Sequence, residues 1–479
     1  MEASNGPGGA VPIARSKLFD AIALGESVSV TRTVAKNDVE LFAAASGDYN
    51  PTHFDATFAK SHGFEGPVAH GMWVAAQLSD LLGNRLPGPG TVYVSQALRF
   101  LAPVIVGDTV TVTITVKEKR AATRTVLFDC TAVKSDGTAV LAGLAEVIAP
   151  DKVEEIPLIV PATVSVQHHD HYEQLIARCR REVKTIACVV AHPCERTALE
   201  GALDAAQAGI IAPILVGPVA RIKAVAAEAG LDLGGLELVD TPHSHASAAK
   251  AVELIREGRG ELLMKGSLHS DELLGAVVAK DTGLRTARRI SHVFIMAVPT
   301  YPEPLFITDA AVNIEPDLET KVDIVQNAID LAIGLGVPEP RVAVLSAVET
   351  INPKIPTTLE AAALCKMAER GQITGALLDG PLAFDNAISP EAVKIKGITS
   401  PVAGRANILL VPDLESGNML AKNLSFLSNA DAAGIVLGAK VPIILTSRAD
   451  SVQTRMASAA TAALYAQYLR LHGPRKTPS

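Results

Sequence analysis

The apolar pattern of this 479-residue chain changes period near residue 150, and no single architecture accommodates both rhythms. From about residue 20 to 150 the pattern predicts a short helix over 38–45, a polar turn, and a strongly apolar helix over 68–82. Strands follow at 91–100, 109–119, 124–134 and 139–148. The run Thr109-Val110-Thr111-Val112-Thr113-Ile114-Thr115-Val116 alternates with a period of two, and Pro87-Gly88-Pro89-Gly90 and Ser135-Asp136-Gly137-Thr138 are turn signals. One apolar helix followed by antiparallel strands predicts a sheet curled around that helix. From Lys184 onward apolar strands alternate with helices, for example strands at 185–191, 212–217, 261–265, 305–308, 341–345, 408–411 and 441–446 with helices at 195–208 and 219–229. That order predicts a doubly wound α/β architecture of parallel strands in two layered subdomains. The Pro- and Val-rich stretch between 149 and 166 reads as a semi-extended linker. The expected organisation is multidomain, α+β and α/β: a domain over 15–150, a linker and leading helix over 151–180, and a domain over 181–472.

Composition removes several functions. Net charge is −8 and no basic cluster marks one face, so neither nucleic acid nor an anionic membrane is the expected partner. An anionic substrate must then be met by local arginines and helix N-termini. The five cysteines show no CxxC spacing and are odd in number, which reads as buried free thiols in a reducing cytosol. Met1 to Ala10 lacks a signal-peptide pattern and no apolar run is long enough to cross a bilayer, so the expected location is cytoplasmic. Gln167-His168-His169-Asp170-His171 places three histidines close in sequence but not on one helical face. It reads as a solvated helix start, and no metal is expected.

The segment Ser46-Gly47-Asp48-Tyr49-Asn50-Pro51-Thr52-His53 puts a carboxylate and an imidazole five positions apart in a tight polar turn. Hydrating an enoyl thioester needs a base for water, an acid for the α-carbon and a donor on the carbonyl. Asp48 and His53 can supply the first two, with reference pKa values of about 3.9 and about 6.5. Asn50 and Pro51 shape the turn. A backbone N–H near Gly71, at the start of the apolar helix, can supply the third. His70 reads equally well as a helix-start residue with no catalytic part. The whole segment resembles the motif Ser/Thr-Gly-Asp-x-Asn-Pro-x-His of the MaoC-like (R)-specific enoyl-CoA hydratases, with Thr52 where an aliphatic residue is usual; Ala69-His70-Gly71-Met72 matches too. The resemblance covers about residues 25–150 and implies a hotdog fold, Asp48 and His53 as the catalytic pair, and Asn50 and Gly71 at the substrate.

Near the other end, an apolar strand ends at Thr446-Ser447-Arg448-Ala449-Asp450-Ser451 and a helix begins at once. A hydroxyl, a guanidinium and helix-terminal amides are thereby offered at the carboxyl edge of a sheet, where open α/β folds bind ligands and where an oxyanion fits. Residues of about 180–470 resemble the phosphate acetyl/butyryltransferases through Met264-Lys265-Gly266-Ser267-Leu268-His269, Leu305-Phe306-Ile307-Thr308-Asp309-Ala310-Ala311, Asp379-Gly380-Pro381-Leu382-Ala383-Phe384-Asp385-Asn386-Ala387 and the Ser-Arg segment. That family has two α/β subdomains akin to isocitrate and isopropylmalate dehydrogenases and moves an acyl group between coenzyme A and phosphate without a metal. By resemblance Ser447 and Arg448 contact the tetrahedral centre and phosphate. The acetyl-specific aspartate position holds Gln453 or Thr454, so the available carboxylate is Asp450. The resemblance also implies Lys265 and Gly266 at the substrate, and Asp309, Asn313, Asp385, Asn386 and Asn418 are further cleft candidates, each of these five also readable as a turn-stabilising residue. Arg288 and Arg289 precede a strand and could meet CoA phosphates, with surface charge as the commoner reading.

The chain is therefore expected to be a bifunctional enzyme of CoA thioesters, a homo-oligomer with no permanently bound cofactor, taking enoyl-CoA, acyl-CoA and inorganic phosphate as substrates. The competing expectation is a hydratase whose C-terminal domain senses acyl-CoA and supports assembly. A metal-dependent dehydrogenase is disfavoured by the lack of a matching aspartate set.

Overall fold

The computed structural model describes residues 13–158, 170–446 and 450–474. They fall into two compact units, Met1–Gln167 and His168–Ser479. The first unit runs β1 (Ile13–Arg15), β2 (Ser27–Thr33), α1 (Lys36–Ser46), α2 (Ala56–Ser61), α3 (Gly71–Asn84), β3 (Val92–Phe100), β4 (Thr109–Arg120), β5 (Thr125–Lys134), β6 (Ala139–Ile148) and β7 (Glu155–Pro157). Five strands form one antiparallel sheet in the order β2-β4-β5-β6-β3. The period-two alternation of β4 turns Val110, Val112, Ile114 and Val116 inward, against Trp73, Val74, Leu78, Leu81 and Leu82 of α3. A side chain buried as Leu78 is, truncated to alanine, costs about 2–5 kcal/mol, so this one helix anchors the sheet. Gly143 lets β3 close on β6: a Cβ there would lie 2.1 Å from the carbonyl oxygen of Ala97.

In this unit β1, β2, α2 and β7 escaped the sequence pattern. β2 pairs with β4 through hydroxyl pairs, Ser29 with Thr113 at 2.8 Å and Thr31 with Thr111 at 2.9 Å, on an exposed face with no apolar signal. Within the expected linker, β7 pairs antiparallel with β1, and Ser16 N–H donates to the carbonyl of Glu154 at 2.9 Å. That stretch is tied down by its backbone over 154–157.

The second unit contains α4 (Asp170–Glu182), β8 (Ile186–Ala191), α5 (Arg196–Gln207), β9 (Ile211–Gly217), α6 (Val219–Ala229), β10 (Glu237–Asp240), α7 (Ser244–Arg256), β11 (Leu262–Lys265), α8 (Ser270–Val277), β12 (Ser291–Ala297), β13 (Leu305–Thr308), α9 (Leu318–Gly334) and β14 (Arg341–Leu345). It continues through α10 (Pro356–Glu369), β15 (Leu377–Leu382), α11 (Phe384–Ile388), α12 (Pro390–Lys396), β16 (Ile408–Leu410), α13 (Leu414–Leu427), β17 (Asp431–Leu437), β18 (Ile443–Ile444) and α14 (Val452–His472). All eleven strands join one sheet, ordered β10-β9-β8-β11-β18-β17-β12-β13-β16-β14-β15.

The all-parallel expectation is corrected here. β10, β9, β8, β11 and β18 are mutually parallel, as are β13, β16, β14 and β15, but β17 and β12 between them pair antiparallel. Three antiparallel steps reverse the sense, so the carboxyl ends of the two parallel sets face opposite edges of the sheet. The strand missed by the pattern, β17, is one of the reversing pair. It reads Asp-Ala-Ala-Gly-Ile-Val-Leu, too small at its start to look like a strand, and it needs to be: α14 packs on it with Ser458 hydroxyl accepting from Gly434 N–H at 2.9 Å. The alanines of α14 from Ala457 to Ala466 are buried, which lets helix and sheet approach closely. No helix among the described residues is long and apolar enough to cross a membrane.

Cys130, Cys179, Cys188 and Cys194 are buried and Cys365 is half-buried, none in a disulfide. Burial pushes the thiols of Cys130 and Cys365 up to about 12 and those of Cys179 and Cys194 up to about 11, and raises Cys188 as well. At pH 8 the folded protein should therefore leave all five thiols unreacted with a disulfide reagent over minutes, and titrate five after unfolding.

Candidate active sites

In the first unit α1 ends where Gly47 adopts φ 78°, and the chain then turns through Asp48 to His53. Asn50 caps the one-turn 3-10 helix Pro51–His53: its Oδ1 accepts from Thr52 N–H at 3.1 Å and from the Thr52 hydroxyl. The carbonyl side of Asn50, expected at the substrate, is thus occupied in building the turn, and Thr52 shares in it. His53 Nδ1 lies 2.6 Å from the carbonyl of Val68. A carbonyl only accepts, so Nδ1 carries a proton, and in the neutral ring Nε2 presents its lone pair, 3.7 Å from Asp48 Oδ2. That separation is too long for a direct hydrogen bond and suits one water held by both groups. His53 is mostly covered while Asp48 is half exposed, so the pair opens to solvent on the carboxylate side. Gly71 opens α3, whose first amides have no carbonyl one turn earlier. A Cβ at Gly71 would come within 3.1 Å of the Phe100 ring, so a larger residue there requires that ring to shift by a few tenths of an ångström. His70, whose part the sequence left open, is buried directly against His53.

In the second unit a cleft opens at the carboxyl edge of β8, β11 and β18. Glu195, Thr197, Lys265, Gly266, Ser267, Thr446 and Arg455 line it. Lys265 and Gly266, named from the sequence, are among these lining residues. Gly266 sits where a Cβ would be 2.4 Å from Ala191 O and 2.5 Å from His192 O, so only glycine lets β11 pass under the end of β8. Its N–H donates to Ala191 O at 2.8 Å, and Ser267 hydroxyl bridges His192 O at 2.7 Å and Cys194 N–H at 2.9 Å. Lys265, 8% exposed, directs its ammonium at the carbonyl of Leu268, 3.2 Å away. His192 holds φ 58°, and burial lowers the pKa of its imidazole; its Nδ1 meets Ser247 hydroxyl at 3.0 Å.

Asp450 reaches this edge at the start of α14, its carbonyl accepting from Arg455 Nε at 3.2 Å. Ser447 and Arg448 lie outside the described residues, as do the first three residues of the histidine run 167–171. Arg455 was missed. It lies in the first turn of α14, is 9% exposed, and donates from Nη1 to Thr197 O at 2.6 Å. A cation in a first helical turn opposes the helix dipole, and that cost was the available signal.

The remaining candidates gather elsewhere. Asp309 follows β13, at the opposite edge from β11. Its carboxylate accepts from the N–H groups of Ala311, Val312 and Asn313 at 3.0–3.1 Å and from Asn313 Nδ2. Burial raises its pKa against the pull of those donors. Asn418 joins by donating to Ala310 O at 3.3 Å. Asp385 and Asn386 follow β15 on that same edge, bound into an ion cluster with Lys396 and Glu349. Arg288 is not surface charge: it pairs with buried Asp330 at 2.6 Å.

Residues 241–463 match the family described as Phosphate acetyl/butaryl transferase, and residues 22–136 match the MaoC like domain. A phosphate acetyltransferase of Rhizobium meliloti is 70% identical over 295 residues, 62% of this chain and 93% of that protein. A phosphate butyryltransferase of Clostridium acetobutylicum is 42% identical over 296 residues, 62% of this chain and 98% of its own length. A crystal structure of a branched-chain phosphotransacylase from Enterococcus faecalis V583 superposes with a TM-score of 0.52 at 31% identity, covering 59% of this chain and 99% of that one.

Asp309→Asn should destabilise the second unit by about 1–3 kcal/mol in urea unfolding, because the new amide N–H₂ must face donors where a carboxylate oxygen accepted two.

Proposed function

Since the chain belongs to the phosphate acetyl/butaryl transferase family and carries a MaoC-like domain ahead of that region, we propose that it performs two reactions of CoA thioesters. The first unit would hydrate short-chain enoyl-CoA to the (R)-3-hydroxyacyl thioester. The second would transfer an acyl group reversibly between coenzyme A and phosphate.

The observation that carries the hydratase reading is the fixed tautomer of His53 facing Asp48 across 3.7 Å. A water held between them loses a proton to one member as its oxygen bonds to the β-carbon. The α-carbon then takes a proton from the pair, so the elements of water are added and the site returns to its starting state. The amide of Gly71 polarises the thioester carbonyl during the addition. For the transferase, the CoA thiol loses its proton, with Asp450 as the candidate base, and attacks the acyl-phosphate carbonyl; the tetrahedral centre collapses and phosphate leaves. Lys265 and Arg455 supply positive charge along the cleft, and the family resemblance assigns Ser447 and Arg448 to the reacting centre in this reading. CoA thioesters and phosphate are substrates; neither step calls for a resident cofactor. Five thiols outside any disulfide support a reducing, cytoplasmic setting.

A homo-oligomer is also proposed, through β3. It forms one edge of the five-stranded sheet and exposes Val92, Val94 and Phe100, with Leu101 just beyond. Val94→Lys should lower the mass measured by light scattering, as an apolar edge paired with a second copy no longer forms.

Asp48→Asn should lower kcat for crotonyl-CoA hydration by about 10²–10⁴-fold while phosphate-dependent CoA release from acetyl-, propionyl- or butyryl-CoA is kept. Ser447→Ala should do the reverse. Unimpaired hydration in Asp48→Asn would refute the first assignment. No phosphate-dependent release with any of the three thioesters would leave the second unit as an acyl-CoA-binding module.

A further inference from the structure

Buried His70 has a geometry that neither the turn motif nor packing alone requires. The residue is 2% exposed and stands at the N-cap of α3, yet its side chain caps nothing. Instead Nε2 lies 3.0 Å from the main-chain carbonyl of Asp48. The ring stacks on that of His53, centroids 3.7 Å apart and planes 25° off parallel. Phe42 of α1 and Phe54 pack on the same ring, at 5.0 and 6.4 Å. Nδ1 is buried with no hydrogen-bond partner.

Asp48, His53 and His70 offer three potential ligand atoms within 4.8 Å of one another, the count of a two-histidine, one-carboxylate metal triad. The stacking argues against that use. Imidazole lone pairs lie in the ring plane, so two nearly parallel rings direct them along parallel lines that do not converge on one ion. Nε2 of His70 is moreover committed to a carbonyl, and so is Nδ1 of His53.

Resting on the hydratase reading of this site, we propose that His70 is a positioning residue that sets both members of the Asp48–His53 pair at once. Its Nε2–H holds the backbone of Asp48, and its face holds the plane of His53. Two carbonyls, of Asp48 and Val68, thereby select opposite tautomers in the two stacked rings: Nε2–H in His70 and Nδ1–H in His53. The bare Nε2 of His53 is kept aimed at the water site. Through the addition His70 exchanges no proton, since its free nitrogen faces no partner. Only an aromatic side chain that also donates one hydrogen bond meets both demands. Phenylalanine keeps the stack and loses the donor, whereas glutamine keeps a donor and loses the stack.

The test measures kcat and KM for crotonyl-CoA hydration in His70→Phe, His70→Gln and Asp48→Asn, with ¹⁵N NMR tautomer assignment of the histidines in the intact wild-type chain at pH 7. Both His70 variants should lose at least tenfold in kcat with KM within twofold, the split of misplaced catalytic groups rather than a damaged binding surface. The spectra should show His70 as Nε2–H and His53 as Nδ1–H. Wild-type kcat in both variants would overturn the proposal while Asp48→Asn, still inactive, leaves the hydratase reading standing. A His70 found as Nδ1–H or doubly protonated would overturn it even if neither variant folds. Full activity in Asp48→Asn would remove the hydratase reading and this proposal with it.

Discussion

One hydrogen bond, from His53 Nδ1 to the carbonyl of Val68, joins the two segments on which the first unit's chemistry depends. Val68 leads into α3, and α3 is the helix the sheet closes on. The geometry of a solvent-facing turn is thus referenced to the most rigid element available, through a backbone carbonyl that no mutation of Val68 can remove. The same short segment supplies His70 and Gly71, so the pair, its support and the proposed carbonyl donor all register against one helix start. Sites built this way tolerate turn residues that are individually exposed, because their positions are set from below.

The second unit solves a different problem. Its cleft is built from strand ends that must pass close to one another, and Gly266 makes the crossing possible where β11 meets the end of β8. The reversal at β17 and β12 then gives the sheet two carboxyl edges. Lys265, Arg455 and Asp450 belong to one, and Asp309, Asn313, Asp385, Asn386 and Asn418 to the other. A buried carboxylate ringed by four donors, as at Asp309, shapes its own loop, and the ion cluster around Lys396 fixes the segment after β15.

Much of this was legible in the residues. The turn motif names Asp48 and His53, and the period-two run of β4 announces which face is core, because both signals are local. What stayed hidden depends on partners far along the chain. β2 carries serines and threonines whose role is to pair across strands, and β17 begins with small residues only because α14 lies against it. The direction of β13 relative to β11 cannot be read from either strand, since an apolar four-residue strand looks the same in both senses. Likewise His70 looks like any helix-start residue until the stack on His53 is seen.

The eleven-stranded sheet has an unusual order of completion. β18 lies between β11 and β17, and its two residues, Ile443 and Ile444, are what hydrogen-bond one strand set to the other. A ribosome delivers β11 some 180 residues before that bridge. At the ordinary pace of about 5–20 residues per second, the open flank of β11 waits many seconds for its neighbour, with β12 to β17 emerging in the interval. Until nearly all of its sequence is out, the nascent unit can form no more than two half-sheets, each with an unpaired backbone edge. Whatever shields those edges in the meantime must act on the growing chain, and the cleft, whose wall includes Ile444, cannot exist before the bridge does.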